Sequence, residues 1–211
     1  MSGLQVVFED EAVIALAKPA GQPTIPGRGE VGRSLITQLE NERGAKFFVV
    51  HRLDREASGL VLFAKNAETH RRLCVEFEAR RAKKVYLAAV DGRLEGEGRI
   101  TEPLREFGSG RMAPSPDGKP STTLWSAERA LGGATLLRVE PLTGRKHQIR
   151  AHLAFLGHPI LGDPRYGPPP RPVGGVRRLM LHALSLRVEA SRVYELTVPP
   201  PADFASVLAG R

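Results

Sequence analysis

The sequence holds a single cysteine, Cys74, in 211 residues. One thiol excludes an intrachain disulfide and any cysteine-built metal cluster. Long apolar runs are missing as well: no stretch approaches the roughly 18 residues that a membrane-crossing helix needs. The segment from Met1 to Glu11 turns acidic almost at once and lacks the basic start and apolar stretch of a secretory signal. These absences predict a cytoplasmic protein with no membrane partner. With no internal repeat and no clear linker, residues 1–211 are expected to form one domain, acting as a monomer.

Charge is what the sequence does have. Lys and Arg total 31 against 23 Asp and Glu, a net charge of +8. Between Pro141 and Met180 the bases are Arg145, Lys146, Arg150, Arg165, Arg171, Arg177 and Arg178, against the one acid Asp163. From His70 to Lys84, Arg71, Arg72, Arg80, Arg81, Lys83 and Lys84 outnumber Glu76 and Glu78. Two such tracts suit the two walls of a nucleic-acid groove, and equally suit solvated surface.

Hydrophobic periodicity predicts an α+β fold: a mixed, mostly antiparallel β-sheet core with flanking helices and loops. Leu4 to Phe8 and Ala12 to Ala17 read as a hairpin that stops at Lys18-Pro19-Ala20-Gly21. Gly21 to Gly32 reads as a loop. Ser34 and Asn66 are candidate caps for two helices, the second with Leu73 and Phe77 on one face. Phe47 to Val50, Gly59 to Lys65 and Val85 to Val90 read as strands. Thr122 to Arg129 and Ala134 to Glu140 read as a hairpin around Gly132-Gly133. Gly108 to Pro120 is expected to be a mobile loop, and Pro168 to Pro172 a stiff one. Lys146 to Phe155 has helical spacing that Gly157 ends. Leu179 to Val188 and Val193 to Val198 read as paired strands before a last helical turn at Phe204 to Leu208.

Four segments carry candidate chemistry. In His51-Arg52-Leu53-Asp54-Arg55-Glu56-Ala57-Ser58-Gly59 an acid stands between two arginines where a strand meets a loop. Adjacent cations favour the ionised carboxylate that a nucleophile or base requires. An isolated loop aspartate equally reads as a turn cap. In Gly144-Arg145-Lys146-His147-Gln148-Ile149-Arg150-Ala151-His152, helical geometry makes Lys146 and Arg150 neighbours, and likewise Gln148 and His152. His147 and His152 fall on different faces, so no metal pair is expected. Tyr86, in Lys84-Val85-Tyr86-Leu87-Ala88, and His182, in Arg178-Leu179-Met180-Leu181-His182-Ala183, read singly as core residues.

Taken in order, these segments resemble pseudouridine synthases of the RluA type. The matching text is HRLDREASGLVLFAK from His51, KVYLAAVDG from Lys84, GRKHQIRAHLAFLGHPILGDPRYG from Gly144 and RLMLHA from Arg178. Two positions depart from the family pattern: Ala57 stands where Thr is usual, and Lys146 where Thr or Ser is usual. The resemblance implies that the chain isomerises uridine in rRNA or tRNA without a metal or redox cofactor. It implies Asp54 as the catalytic carboxylate, attacking either the ribose anomeric carbon or the uracil ring. Arg150 then pairs with Asp54, Tyr86 stacks on the target base, Arg52 holds the RNA and Leu181 walls the pocket. Arg55, Arg145, Lys146 and His147 complete the expected RNA contacts. Many relatives carry an S4-type RNA-binding domain ahead of the catalytic one. Here the first family strand begins near Leu4, so none is expected. Two rivals are weaker. An RNA-binding module needs no catalytic carboxylate, and a glycosidase usually needs a second one beside Asp54.

Overall fold

The computed structural model describes residues 3–27, 34–108, 110–167 and 176–209. In chain order its elements open with β1 (Val6–Glu9), β2 (Val13–Lys18), α1 (Leu35–Arg43), β3 (Phe48–Val49), β4 (Ser58–Ala64) and α2 (Ala67–Glu78). Next come β5 (Lys83–Asp91), β6 (Glu97–Ile100), β7 (Leu104–Glu106), β8 (Met112–Pro114), β9 (Thr123–Ala130) and β10 (Ala134–Pro141). The last are α3 (Gln148–Phe155), β11 (Leu181–Glu189), β12 (Val193–Thr197) and α4 (Ala202–Leu208). The fold is α+β, as the periodicity predicts. The chain divides into two compact units, one of Met1–Lys84 with Ala183–Pro199, the other of Val85–His182 with Pro200–Arg211.

In the first unit β2 pairs antiparallel with β1 and β4, and β3 also pairs with β4. Alternate residues Val13, Ala15, Leu60 and Leu62 form one buried face with Leu73 of α2 and with Leu186, Val188 and Tyr194. Burial of a side chain like Leu73 stabilises the fold by about 1.5–3 kcal/mol. The two helices start where expected. Ser34 accepts the Thr37 N–H, and Asn66 accepts the Thr69 N–H at 2.8 Å. On α2, Arg72 pairs with Glu68, and just past its end Arg81 pairs with Glu76. Part of the basic tract from His70 to Lys84 is thus spent on neighbouring acids. Gly59 has to be a glycine: its φ is +124°, and a Cβ would overlap the Ala183 backbone.

In the second unit β10 lies between β5 and β9, with Val139 opposite both Tyr86 and Trp125. β6 adds to β9. Periodicity does not announce β6, because Glu97-Gly98-Arg99 has no apolar alternation. The mobile loop expected over Gly108 to Pro120 is instead partly strand: β8 pairs with β7. Its anchor is tertiary, since Leu104 and Met112 are buried with Ala151 and Tyr166, and the Met112 N–H donates to Tyr166 Oη at 2.8 Å. The helix expected from Lys146 begins at Gln148. His147 takes a left-handed φ of 49°, so Lys146 lies off the helix and is not the helical neighbour of Arg150. The Pro168 to Pro172 loop, and the Gly21 to Gly32 loop from residue 28 on, fall outside the described residues.

Candidate active site

Asp54 lies half-buried on the loop between β3 and β4, and that loop is held on both sides of it. On one side, the buried Thr24 hydroxyl donates to the Leu53 carbonyl and accepts the Leu53 N–H, both at 3.1 Å. On the other, the Arg55 carbonyl accepts from Lys18 Nζ at 3.1 Å and from the Gly21 N–H at 2.8 Å. Lys18 is 1% exposed and also donates to the carbonyls of Pro19 and Gln22. The Ala57 N–H closes the turn onto the Asp54 carbonyl at 3.2 Å. Bonds to both neighbouring residues fix the backbone from which the Asp54 side chain leaves.

Arg52 and Arg55 are exposed, where solvent screens their charge. The buried cation of the loop is Lys18, read from sequence only as part of a strand stop. His51 of the same motif supports the fold instead. Its Nε2 accepts the Leu62 N–H at 3.0 Å and its ring stacks on Phe77. Burial, helped by the Lys84 charge, pulls its pKa down to about 3, so the imidazole is neutral.

In the second unit Tyr86 is half-buried on β5 and Leu181 is buried at the start of β11. Arg150 on α3 is 1% exposed. Its guanidinium forms a bidentate pair with Asp163, Nε to Oδ2 and Nη2 to Oδ1, each at 2.8 Å. The same Oδ1 accepts the N–H groups of Arg165 and Tyr166. Burial raises the Asp163 pKa, but the Arg150 bonds and charge together with those N–H groups outweigh it and hold the carboxyl below its usual value. Arg150 also lies 5.3 Å from the Tyr166 ring centroid. Tyr166 Oη is 3.1 Å from His147 Nδ1, which ties the start of α3 to the β7–β8 hairpin.

Behind Arg150 runs a satisfied buried network. Thr143 donates to Gln148 Oε1 at 2.6 Å, and Gln148 Nε2 donates to Thr123 Oγ1 at 3.0 Å. Thr123 Oγ1 lies 2.8 Å from His152 Nδ1, and His152 Nε2 lies 2.9 Å from the Glu102 carbonyl. The carbonyl requires a donor at Nε2 and burial pulls the His152 pKa down, so His152 is the neutral Nε2–H tautomer and Thr123 donates to its Nδ1. Gln148 and His152 thus meet on one helix face as their spacing predicts, and they share a threonine. Arg145 and Lys146 turn outward. Arg145 Nε donates to the Pro120 carbonyl, and Lys146 pairs with Glu106.

A family model described as RNA pseudouridylate synthase matches residues 12–155. The chain belongs to the RNA pseudouridylate synthase family. It is 36% identical, over 95% of its length, to the dual-specificity RNA pseudouridine synthase RluA of Vibrio cholerae, 84% of which it covers. It is 35% identical to the ribosomal large subunit pseudouridine synthase D of Nitrosomonas europaea over 97% of its length, and spans 64% of that protein. Among solved structures, human RNA pseudouridylate synthase domain containing 1 superposes with a TM-score of 0.82 at 28% identity, over 94% of this chain and 84% of that one.

The residues that sequence reasoning missed are those that hold the motif residues in place. Asp163 and Tyr166 lie within the Gly162–Gly167 segment GDPRYG, whose pattern carries no sign of either role. Thr24 and Lys18 hold the Asp54 loop through backbone groups, a kind of contact that no motif spells out.

Proposed function

We propose that this chain isomerises uridine to pseudouridine within structured RNA, using Asp54 as the reacting carboxylate and no cofactor. The observation that carries this reading is an aspartate, at the position the family motif requires, on a loop pinned at both adjacent residues. Asp54 attacks the ribose anomeric carbon or the uracil ring; the freed base turns and rejoins through its ring carbon. Nothing is oxidised or hydrolysed in the net reaction, so it needs no redox or metal chemistry.

Arg150 is the proposed cationic partner of Asp54. Asp163 grips its Nε and Nη2 and so fixes the direction in which the guanidinium presents its charge. Tyr86 stacks on the target base, a contact worth roughly 1–3 kcal/mol. That contact offsets part of the few kcal/mol needed to take the base out of its stack. Arg52 holds the RNA where the base leaves the helix, and Leu181 walls the pocket. Arg55, Arg145, Lys146 and His147 contact the surrounding RNA. The proposed substrates are rRNA or tRNA, and the proposed compartment is the cytoplasm. The family-model match extends over parts of both compact units, which supports their working as one catalytic domain.

The test is pseudouridine mapping in ribosomal and transfer RNA from cells with and without the gene, repeated with purified protein on uridine-only transcripts. One or more sites present only with the gene, and restored by the protein, are expected. Identical maps, with no product on any transcript, would refute the reading.

A further inference from the structure

The β7–β8 hairpin and the segment before α3 bring opposite charges together at an exposed place. Lys146 Nζ pairs with Glu106 Oε1, and both side chains are substantially accessible. Gly110 marks the meeting point. A Cβ on it would stand 3.5 Å from Lys146 Nζ, 3.6 Å from Glu106 Oε1 and 3.8 Å from Arg165 Nη1. Three charged groups therefore meet within van der Waals reach of one backbone position. Beside it Phe107 is 45% exposed, with the Arg105 guanidinium 5.7 Å from its ring. An open aromatic ring among cations is the pattern of a surface that takes single-stranded or looped nucleic acid.

Glu106 is the anomaly in this setting. A carboxylate has the same appeal to an ammonium and a guanidinium as a phosphate oxygen has, charge and acceptor geometry alike. Lys146 and Arg165, with His147 close enough to act on the same carboxyl, hold the Glu106 pKa below its usual value. An exposed ion pair of this kind is held only weakly. A polyanion that releases counterions on binding has a further source of free energy with which to replace it.

We propose that Lys146 and Arg165 form a binding site for an RNA backbone phosphate, and that Glu106 occupies it until RNA displaces it. The inference rests on the reading that RNA is the substrate, and adds a residue that opposes binding. Glu106 then acts as a specificity determinant. An RNA that touches the hairpin alone does not displace it efficiently, whereas one that also engages the rest of the protein does.

The experiment measures binding of a fluorescein-labelled RNA hairpin by anisotropy at about 100 mM KCl, where phosphate contacts still count, to the wild type, Glu106→Gln and Glu106→Gln/Lys146→Thr. Thermal melts check that all three are folded. Glu106→Gln is expected to bind about three- to tenfold more tightly, because a competitor and a like charge are both removed. The double variant is expected to lose that gain. If the wild type binds and modifies RNA but Glu106→Gln binds equally or more weakly, the displacement is overturned and the pair is only a hairpin staple. If the wild type neither binds nor modifies any RNA, the functional reading itself fails and takes this site with it.

Discussion

Replacement of Asp163 tests the buried framework around Arg150 most sharply. Both partners are nearly inaccessible, Arg150 at 1% and Asp163 at 3% exposure, and two of the five guanidinium N–H groups point at one carboxylate. Breaking a buried pair by removing one partner costs about 3–5 kcal/mol. Asp163→Asn keeps an oxygen to accept the Arg165 and Tyr166 N–H groups, but removes the charge and sets an NH2 donor against the Arg150 Nε–H, and is expected to cost that amount. Asp163→Ala also strips those two N–H groups of their acceptor, at about 1–3 kcal/mol for each group left unsatisfied. Domains of this kind are stable by only about 5–15 kcal/mol, so Asp163→Ala is expected to be near the edge of folding. The assay is urea unfolding at pH 7 followed by far-UV circular dichroism. The pH dependence provides a second readout. Because the folded Asp163 pKa is depressed, its contribution is present above the unfolded value of 3.8 and is lost as pH falls through the folded pKa. Asp163→Asn should lose that acid limb. A cost under about 1 kcal/mol for Asp163→Asn, well below that range, would refute the reasoning.

Two further predictions concern single residues. His51 is expected to remain neutral at pH 5, with Nδ1 protonated and Nε2 accepting from Leu62. Its folded pKa is depressed to about 3, so its contribution is complete above pH 6.5 and erodes as pH falls toward 3. Imidazole nitrogen shifts reporting a cation at pH 5 would contradict this. Gly162→Ala is expected to cost more than about 2 kcal/mol, lowering Tm by at least about 4 °C, because its φ is +70° and a Cβ would overlap the Arg178 carbonyl. Gly157→Ala, at φ +89° with open space around it, should cost only about 1 kcal/mol. Equal melting shifts for the two variants would rule out the steric explanation.

Much of the fold was legible because local signals and tertiary packing agree. Ser34 and Asn66 cap the helices they precede, and Gly132-Gly133 turns the β9–β10 hairpin. The β7–β8 hairpin was not legible. Its three-residue strands are too short to show alternation, and what holds them is Tyr166, far along the chain. Asp54 was found through its motif, but the reasons its loop is rigid were not. Thr24 reaches Leu53 across 29 residues and Lys18 reaches Arg55 across 37, both through backbone atoms that leave no pattern in a sequence. In the sequence Asp163 is the lone acid of a basic tract, a setting that carries no sign of its burial with Arg150. The left-handed His147, which removes Lys146 from the helix, has no periodic signature either.

The central claim is that Asp54 carries the chemistry. The direct measurement is pseudouridine formation by purified Asp54→Asn on an RNA that the wild type modifies, with RNA affinity measured on the same preparation. No detectable pseudouridine is expected, while the variant still binds RNA. Turnover by Asp54→Asn at the wild-type rate would contradict the claim.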